Sequence, residues 1–290
     1  MSIVSVVTGA NSGIGRATAV HLARAGHEVY GTVRSLDKAG KLRQMADDAG
    51  VEVHLAVLDV GDDESVRAGM AEVLDRAGHV DNLVNNAGVG GNSVLEECPV
   101  SLYHDVMNVN MYGAVRCIQA VLPQMRERGS GCIVNVSSVV GRIAALAQQP
   151  YVASKWALEG VSEGLAQELA PFGIRVAIVE PGVTKSAIFA KNIDAPNQTG
   201  AYDAPYRRMF QMYAAGLAGA TDPFEVAAVV LGAITTDTPQ LRYAVSWGGH
   251  ELIAGRAAMT DEEWVAMGAP ADDAAYYDAF DRYFGLNIRP

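Results

Sequence analysis

Cysteine is scarce in this sequence. The 290 residues include three cysteines, Cys98, Cys117 and Cys132. Their number is odd, they show no CxxC spacing, and their neighbours are mostly apolar, which argues against a disulfide framework and against a zinc site. We therefore expect reduced structural thiols in a cytoplasmic protein that binds no metal.

Positive charge is also in short supply. Lys and Arg together number 22, whereas Asp and Glu number 33, so the formal net charge is −11. A surface this acidic repels polyanions, which disfavours nucleic acids and anionic membranes as partners. Solubility alone is the simpler explanation of the charge.

Long hydrophobic runs are missing as well. The longest uninterrupted apolar stretch, residues 226–234, is too short to span a bilayer. No basic segment precedes the apolar run that starts at Ile3, so we expect neither a signal peptide nor a membrane partner.

The chain does contain enough apolar residues for a large core, at 50% of the sequence against 19% charged residues. Short β-rich runs alternate with amphipathic stretches of helical length, which predicts right-handed βαβ units and a parallel sheet covered by helices on both faces. The predicted strands cover residues 3–7, 28–33, 52–58, 82–85, 132–136, 174–179 and 242–247. The predicted helices cover residues 13–25, 36–49, 62–77, 101–128 and 152–170.

The alternation is interrupted twice, between residues 184 and 221 and again after residue 247. We interpret both segments as additions to one domain that spans residues 1–290. The first is expected to form a substrate-binding lid over residues 187–222, and the second a C-terminal extension over residues 248–290. A capping-box sequence at residues 260–263 predicts a short helix in that extension.

A glycine-rich turn follows the first predicted strand. Residues 8–15 have the sequence TGANSGIG, which places backbone N–H groups and a helix N-terminus where they can bind a pyrophosphate. The spacing is GxxxGxG and differs from the commoner GxGxxG dinucleotide motif. A tight strand-to-helix turn without a ligand is the alternative at this stage.

Five further motifs occur later in the chain. They are Asn85-Asn86-Ala87-Gly88, Asn110-x-x-Gly113, Ser137-Ser138, Tyr151-x-x-x-Lys155 and Pro181-Gly182. Together with the glycine turn they resemble the short-chain dehydrogenase/reductase (SDR) family, over about residues 3–186. The resemblance implies an α/β fold with a Rossmann-type, doubly wound parallel sheet of about seven strands. It also implies a nicotinamide cofactor and interconversion of a small-molecule alcohol and ketone.

Tyr151 and Lys155 lie four residues apart, so they share one face of a helix. A tyrosine with an ordinary pKa near 10 is a poor base at neutral pH, and a nearby ammonium group lowers that pKa. We therefore expect Tyr151 to be the general acid/base of the reaction. A solvated pair on a helix surface is the alternative.

Two more polar residues are expected to take part in catalysis. Ser138 follows the fifth strand and can donate a hydrogen bond to the substrate oxygen, with Ser137 as its competitor. The family pattern assigns this role to the second serine, Ser138. By resemblance, Asn110 holds a water that connects Lys155 to solvent as a proton relay, whereas Asn108 lacks the NxxG spacing. Turn capping after a strand is the alternative for the two serines, and a capping or surface position is the alternative for Asn110.

The end of the second strand indicates which nicotinamide dinucleotide is preferred. An acidic residue there would bond the adenosine ribose hydroxyls and favour NAD, but this chain has Val33 followed by Arg34. A guanidinium can bind a 2′-phosphate, so we expect NADP, with NADPH preferred over NADH. A surface arginine in an NAD-preferring enzyme is the alternative.

The cofactor-binding set that we predict combines these positions with the matching family motifs. It comprises Gly9, Asn11, Ser12, Gly13, Ile14, Gly15, Arg34, Asp59, Val60, Asn86, Ala87, Gly88, Tyr151, Lys155, Pro181, Gly182, Val183, Thr184 and Ser186. The sequence leaves open whether Thr184 or Ser186 contacts the nicotinamide, and whether Asn86 braces strands instead.

The predicted lid is rich in aromatic residues and methionine, which would suit an apolar ketone or secondary alcohol. These residues are Phe189, Tyr202, Tyr206, Met209, Phe210, Met212 and Tyr213. Ordinary packing against the sheet edge would explain them equally well.

We also expect a homodimer or homotetramer, with the helices over 101–128 and 152–170 paired across a two-fold axis as the resemblance implies. The apolar candidates for this interface are Val115, Ile118, Leu122, Leu158, Val161 and Leu165, although some of them must pack on the sheet.

Two other classes of protein fit part of the pattern. A non-catalytic dinucleotide-binding sensor would not need Ser138, Tyr151 and Lys155 together. An epimerase or dehydratase of the extended branch shares YxxxK, but its glycine turn usually has the spacing GxxGxxG.

Overall fold

The computed structural model describes residues 2–186 and 197–290. Its seven strands form one parallel sheet in the order β3-β2-β1-β4-β5-β6-β7. The strands are β1 (Val4–Val7), β2 (Glu28–Val33), β3 (His54–Val57), β4 (Asn82–Asn85), β5 (Gly131–Val136), β6 (Ile174–Pro181) and β7 (Arg242–Val245). The predicted doubly wound parallel sheet is therefore confirmed.

The helices alternate with the strands and continue beyond them. They are α1 (Gly13–Arg24), α2 (Gly40–Ala49), α3 (Asp63–Ala77), α4 (Val100–Met107), α5 (Gly113–Arg128), α6 (Gln149–Leu169), α7 (Asp203–Ala218), α8 (Pro223–Thr235), α9 (Gly249–Ala258), α10 (Asp261–Met267) and α11 (Asp273–Phe284). Within the described ranges, none of these helices combines the length and the apolar character that a membrane crossing requires.

Helices cover the sheet on both faces, which explains why the strands are apolar without alternation. Buried residues of α3, α5 and α6 pack with one set of strand residues, and those of α1, α2 and α8 pack with the other. The strand order reverses between β1 and β4, so the carboxyl edge of the sheet opens a crevice there.

The predicted helix over residues 101–128 is helical throughout, but it is not a regular α-helix. A π-helical turn, Asn108–Tyr112, lies between α4 and α5. The side chain of Asn110 in this turn forms hydrogen bonds with the backbone of Val89, in the segment after β4. A π-helical turn is typical of such a site, where a side chain bonds outside its own helix. The predicted helix over 36–49 likewise begins with a separate 3₁₀ turn, Leu36–Ala39.

The C-terminal extension packs beyond the carboxyl edge of the sheet. Buried aromatic residues of α11 join residues 139–145 and Leu252 in a third apolar cluster. Arg208 of α7 is 3% exposed and links the helix to this extension. Its Nε donates to Asp273 Oδ1 at 2.8 Å, and its Nη2 donates to the carbonyl of Pro270 at 2.5 Å.

All three cysteines are free. Burial raises the pKa of Cys117 to about 12 and that of Cys132 to about 11, so both remain protonated thiols at neutral pH. Their surroundings are those of structural core residues.

Candidate active site

A cavity of about 430 Å³ lies at the carboxyl edge of the sheet. It extends from the end of β2 past the glycine turn to α6 and α7, so residues far apart in sequence share it. Nearly all of the predicted site residues line it, namely Gly9, Asn11, Ser12, Gly13, Ile14, Arg34, Asp59, Val60, Asn86, Ala87, Gly88, Ser138, Tyr151, Lys155, Pro181, Gly182, Val183, Thr184 and Ser186. Gly15 and Asn110 lie behind this lining.

The glycine turn is held against β4 by the Asn86 side chain. Its Nδ2 donates to the carbonyl of Thr8 at 2.9 Å, and the Thr8 hydroxyl accepts from the backbone of Asn86 at 3.0 Å. Gly9 has a φ of +67°, and a Cβ on Gly15 would lie 2.2 Å from Asn86 Nδ2. Glycine is therefore required at both positions, and Asn86 braces neighbouring strands as the sequence alternative suggested.

Tyr151 and Lys155 project from the first turns of α6. Lys155 is 4% exposed, its Nζ donates to the carbonyl of Val136 at 2.9 Å, and the Nζ lies 5.7 Å from the centre of the Tyr151 ring. Burial lowers the pKa of Lys155 to about 8, while the charge of Glu159 raises it. The amine is therefore close to its titration point near neutral pH.

We expected Lys155 to lower the pKa of Tyr151, but in this structure the pKa of Tyr151 is raised. Burial raises the pKa of Tyr151 to about 12, and a hydrogen bond with the Ser138 side chain opposes that rise. Desolvation of the phenolate outweighs the stabilisation that the neighbours supply. The phenol is consequently protonated and can donate a proton.

Ser138 begins the 3₁₀ turn that follows β5. Its Oγ donates to the carbonyl of Pro181 and accepts from the backbone of Val140, both at 3.3 Å. Ser137 also lines the cavity, but Ser138 contributes the hydrogen bond to Tyr151. The geometry therefore favours Ser138 of the two serines.

Asn110 lies in the π-helical turn and is 2% exposed. Its Oδ1 accepts from the backbone N–H of Val89 at 2.8 Å, and its Nδ2 donates to the Val89 carbonyl and to Ser154 Oγ, both at 2.9 Å. These bonds fix the segment after β4 against α6. Asn110 thus supports the cavity wall from behind.

Arg34 lies exposed at the β2 end of the cavity, immediately after Val33, which is 2% exposed. Arg34 has no ion-pair partner within residues 2–186 and 197–290. The carboxylate of Asp59, another residue that lines the cavity, has a partner of its own, because its Oδ1 accepts from the backbone N–H of Gly61 at 3.0 Å. The guanidinium is therefore available to an anion bound in the cavity.

Thr184 and Ser186 occupy different surroundings after β6. The Thr184 hydroxyl lies 2.8 Å from Ser246 Oγ, and Thr184 is 2% exposed. Ser186 lies across from the glycine turn, where a Cβ on Gly13 would come within 3.1 Å of the Ser186 Cβ. Ser186 therefore closes the cavity opposite the glycine turn.

Several residues that line the cavity were not predicted. They are Val89, Gly90, Val109, Val139, Val140, Ile143, Gln148, Trp247 and Leu252, among others. Gln148 is 4% exposed, and its Nε2 has no hydrogen-bond partner in the described part of the chain. Gln148 stands three residues before Tyr151, whereas Trp247 and Leu252 come from beyond β7, where no motif marks them.

The predicted lid divides into two groups of residues. Met212 and Tyr213 line the cavity, and the Tyr213 hydroxyl donates to Asn92 Oδ1 at 3.0 Å. Tyr206 and Met209 are buried in a cluster with Val94 and Ala147, so they pack as core residues. Phe210 is 38% exposed, and Phe189 lies outside the described residues.

The residues present fit a nicotinamide dinucleotide. One end of the cavity offers the exposed guanidinium of Arg34, the middle offers the glycine turn at the N-terminus of α1, and the other end offers Tyr151 beside Ser138. Phosphates favour helix N-termini and guanidinium groups, so the charge pattern matches the charge distribution of such a molecule.

A parallel sheet with a glycine turn at its switch point, and a tyrosine–serine–lysine group at the same edge, defines an oxidoreductase of the dinucleotide-binding α/β class. Residues 3–197 match the family model described as short chain dehydrogenase. The chain belongs to the short-chain dehydrogenase/reductase family, and it is an oxidoreductase that binds a nicotinamide dinucleotide.

Curated relatives extend over most of the chain. The uncharacterized oxidoreductase YusZ of Bacillus subtilis is 35% identical over 91% of this chain and 96% of its own. The 17-beta-hydroxysteroid dehydrogenase type 1 of Mus musculus is 38% identical over 83% of this chain and 72% of its own.

Solved structures share the fold at similar identity. A short-chain dehydrogenase from Streptomyces avermitilis has a TM-score of 0.78 at 37% identity, covering 93% of this chain and 99% of its own. An alcohol dehydrogenase from the archaeon Thermococcus sibiricus, complexed with 5-hydroxy-NADP, has a TM-score of 0.70 at 28% identity, covering 85% and 97%.

Proposed function

We propose that the protein interconverts a ketone and a secondary alcohol on an apolar small molecule, with NADP(H) as its cofactor and Tyr151 as general acid/base. The observation that carries this proposal is the meeting of Tyr151, Ser138 and Lys155 at one end of a cavity that also contains the glycine turn. A dinucleotide sensor has no need of a phenol that lines the cavity beside a buried amine.

When bound, the nicotinamide dinucleotide supplies a hydride for reduction or accepts one in oxidation. Reduction of a ketone adds that hydride to carbon and a proton to oxygen, and the protonated phenol of Tyr151 donates the proton. The Ser138 hydroxyl donates a hydrogen bond to the same substrate oxygen and so stabilises its developing charge. Lys155 holds positive charge beside the phenol and would bond the nicotinamide ribose of the bound cofactor.

The cofactor would be held by the predicted set of residues. Backbone N–H groups of the glycine turn bind the pyrophosphate, and Arg34 binds the 2′-phosphate of NADP. Asp59, Val60 and Asn86 border the adenine side, while residues 181–184 and Ser186 border the nicotinamide. Asn110 keeps the segment after β4 in place and, by the family resemblance, holds a water for proton exchange with Lys155.

An apolar substrate is supported by the lining of the catalytic end of the cavity. The side chains there include Val139, Val140, Ile143, Met212, Trp247 and Leu252. A hydroxysteroid dehydrogenase among the relatives agrees with a bulky apolar ketone, because such a substrate gains affinity mainly through burial. Gln148 is a polar side chain that could orient it, because its Nε2 has no hydrogen-bond partner in the described part of the chain, whereas the Tyr213 hydroxyl already donates to Asn92.

We propose that the enzyme works as a homodimer or homotetramer in the cytoplasm. Of the six interface candidates, Ile118 and Leu158 are 3% and 1% exposed, so these two belong to the part of the set that packs inside the chain. Trp156 at 51% and Val100 at 69% exposure are apolar residues on α6 and α4 that a partner could cover. Light scattering at micromolar concentration tests this assembly, and the mass of a monomer would contradict it.

The test of the function compares two phenols of the same cavity. Tyr151→Phe should reduce NADPH-dependent reduction of estrone and of simple aryl ketones about 10²–10⁴-fold, because a general acid contributes that much. Binding of NADPH, measured by fluorescence titration, should survive. The matched control is Tyr213→Phe, which also removes a cavity hydroxyl and should retain most of the rate. A Tyr151→Phe enzyme with near-normal turnover would refute the assignment.

A further inference from the structure

Behind the catalytic helix lies a cluster of five charged side chains that the proposed function does not use. Its members are Glu159, Glu163, Glu180, Arg142 and Arg242. They come from α6, from the end of β6, from the segment after β5 and from β7. None of them is among the described residues that line the cavity.

Glu159 connects this cluster to the catalytic amine. It follows Lys155 by one helical turn, so the two side chains share a face of α6, and they are 5% and 4% exposed. Glu159 Oε2 accepts from Arg242 Nε at 3.0 Å. Glu159 Oε1 has no hydrogen-bond partner within the described ranges.

The unpartnered oxygen lies near the catalytic segment. A Cβ built on Gly141 would lie 3.2 Å from Glu159 Oε1 and 2.7 Å from Ser137 Oγ, which also lacks a partner in the described part of the chain. Both oxygens therefore border the short turn that begins at Ser138. An unpaired buried carboxylate oxygen is costly unless a cation is close enough to stabilise it.

The position of Lys155, one helical turn before Glu159 on the same face of α6, makes its ammonium group the candidate for that cation. The other carboxylate of the cluster that is buried already has a partner, because Glu180 is 2% exposed and accepts from Arg142 Nη1 at 3.2 Å. Burial, together with the charge of Glu159, raises the pKa of Glu180.

We propose that Glu159 is a positioning residue that keeps Lys155 charged beside Tyr151, while Arg242 balances Glu159 from the other side. The inference rests on the proposed function, in which a charged Lys155 serves Tyr151 and the cofactor ribose. Removing the Glu159 charge makes the buried amine lose its proton at lower pH, because desolvation then acts without opposition.

Lysine NMR can test this directly, since the chain has few lysines. They are Lys38, Lys41, Lys155, Lys185 and Lys191. In protein labelled with [ε-¹³C]lysine, the signal that disappears in Lys155→Arg identifies Lys155. Its chemical shift should titrate with a midpoint at about pH 8 in the wild type, the value to which burial brings the pKa of Lys155.

Glu159→Gln should lower this midpoint by about one pH unit, because it removes a charge one helical turn away. NADPH affinity measured at about pH 8 should fall in parallel, and should return towards the wild-type value at about pH 6, where the amine is protonated in both proteins. The matched control is Glu163→Gln, since Glu163 is exposed and accepts from the same guanidinium at 2.6 Å. Its Lys155 midpoint should equal that of the wild type.

A second variant, Arg242→Gln, should shift the Lys155 midpoint in the opposite direction, and it keeps the inference testable even if Glu159→Gln does not fold. Arg242→Gln removes the charge that balances Glu159, so the Lys155 midpoint should rise. An unchanged midpoint in Glu159→Gln, an equal shift in Glu163→Gln, or a fall in Arg242→Gln would each overturn the inference. An active Tyr151→Phe enzyme would remove the proposed function without touching this titration, so the two failures are distinguishable.

Discussion

Replacing Arg34 with valine should reduce the preference of the enzyme for NADPH over NADH. Arg34 lies exposed at the β2 end of the cavity without an ion-pair partner in the described ranges. A hydrogen bond to a charged group contributes about 1.5–3 kcal/mol, and solvent screening at an exposed site favours the lower end. About 1.4 kcal/mol corresponds to a tenfold preference, so we expect NADPH to be favoured about tenfold with NADH still usable.

The assay is kcat/KM for each dinucleotide with one ketone, together with fluorescence titration of each dinucleotide. Arg34→Val should bring the two kcat/KM values close together, and Arg34→Lys should lie between, because an ammonium lacks the planar fork of a guanidinium. Raising the salt concentration should shrink the wild-type preference, since an exposed charge is screened. Arg43→Val is the matched control, because Arg43 is exposed on α2 and is not among the described cavity residues.

Inverting the preference requires a carboxylate as well. In the double variant Val33→Asp with Arg34→Val, the carboxylate can accept from ribose hydroxyls and repels a 2′-phosphate. Val33 is 2% exposed, so the double variant should be less stable by about 1–3 kcal/mol, and NADH should restore part of that loss. A wild type that already prefers NADH, or an Arg34→Val enzyme with an unchanged ratio, would refute the reasoning.

Two further substitutions test the supports of the cavity. Gly15→Ala places a Cβ 2.6 Å from the carbonyl of Gly9, so it should lower stability by about 1–3 kcal/mol and weaken NADPH binding. Gly160→Ala, with open space around its Cβ position on α6, should stabilise by about 0.5–1 kcal/mol, and equal losses for both would contradict the model of a tight turn. Arg208→Met breaks the buried bond to α11 and should cost about 1.5–3 kcal/mol and raise KM for the ketone. Arg207→Met, which removes the exposed neighbour bound to Asp273, should cost about 0–1 kcal/mol, and a KM change as large as that of Arg208→Met would count against the specific role.

Much of the framework follows from local patterns in the sequence. The strands of the sheet and the glycine turn can be predicted from the sequence, because an apolar run or a glycine spacing is visible in residues that are neighbours along the chain. The break at Asn108–Tyr112 was missed because a π-helical turn depends on what Asn110 bonds across space. The raised pKa of Tyr151 was missed for a similar reason, since the desolvation of a phenol is set by everything that packs around it.

The catalytic end of the cavity shows the same limit. Trp247 lies just after β7 and Leu252 lies in the C-terminal extension, and no spacing rule connects them to Tyr151. Gln148 is close to Tyr151 in sequence, but its unpartnered Nε2 becomes visible only once the surrounding residues are placed. Parts of a site that are built by several segments are therefore beyond sequence patterns.

The link between Arg208 and Asp273 has a consequence for how this protein can diversify. The glycine turn and Tyr151 lie on the sheet and its adjacent helices, while Met212 and Tyr213 lie on a helix anchored to the chain end. Substitutions in α11 can therefore move the cavity wall that Met212 and Tyr213 form without changing Tyr151. In evolutionary terms, one wall of the cavity can vary through the end of the chain, while the wall formed by Val139, Val140 and Ile143 remains tied to the segment that carries Ser138.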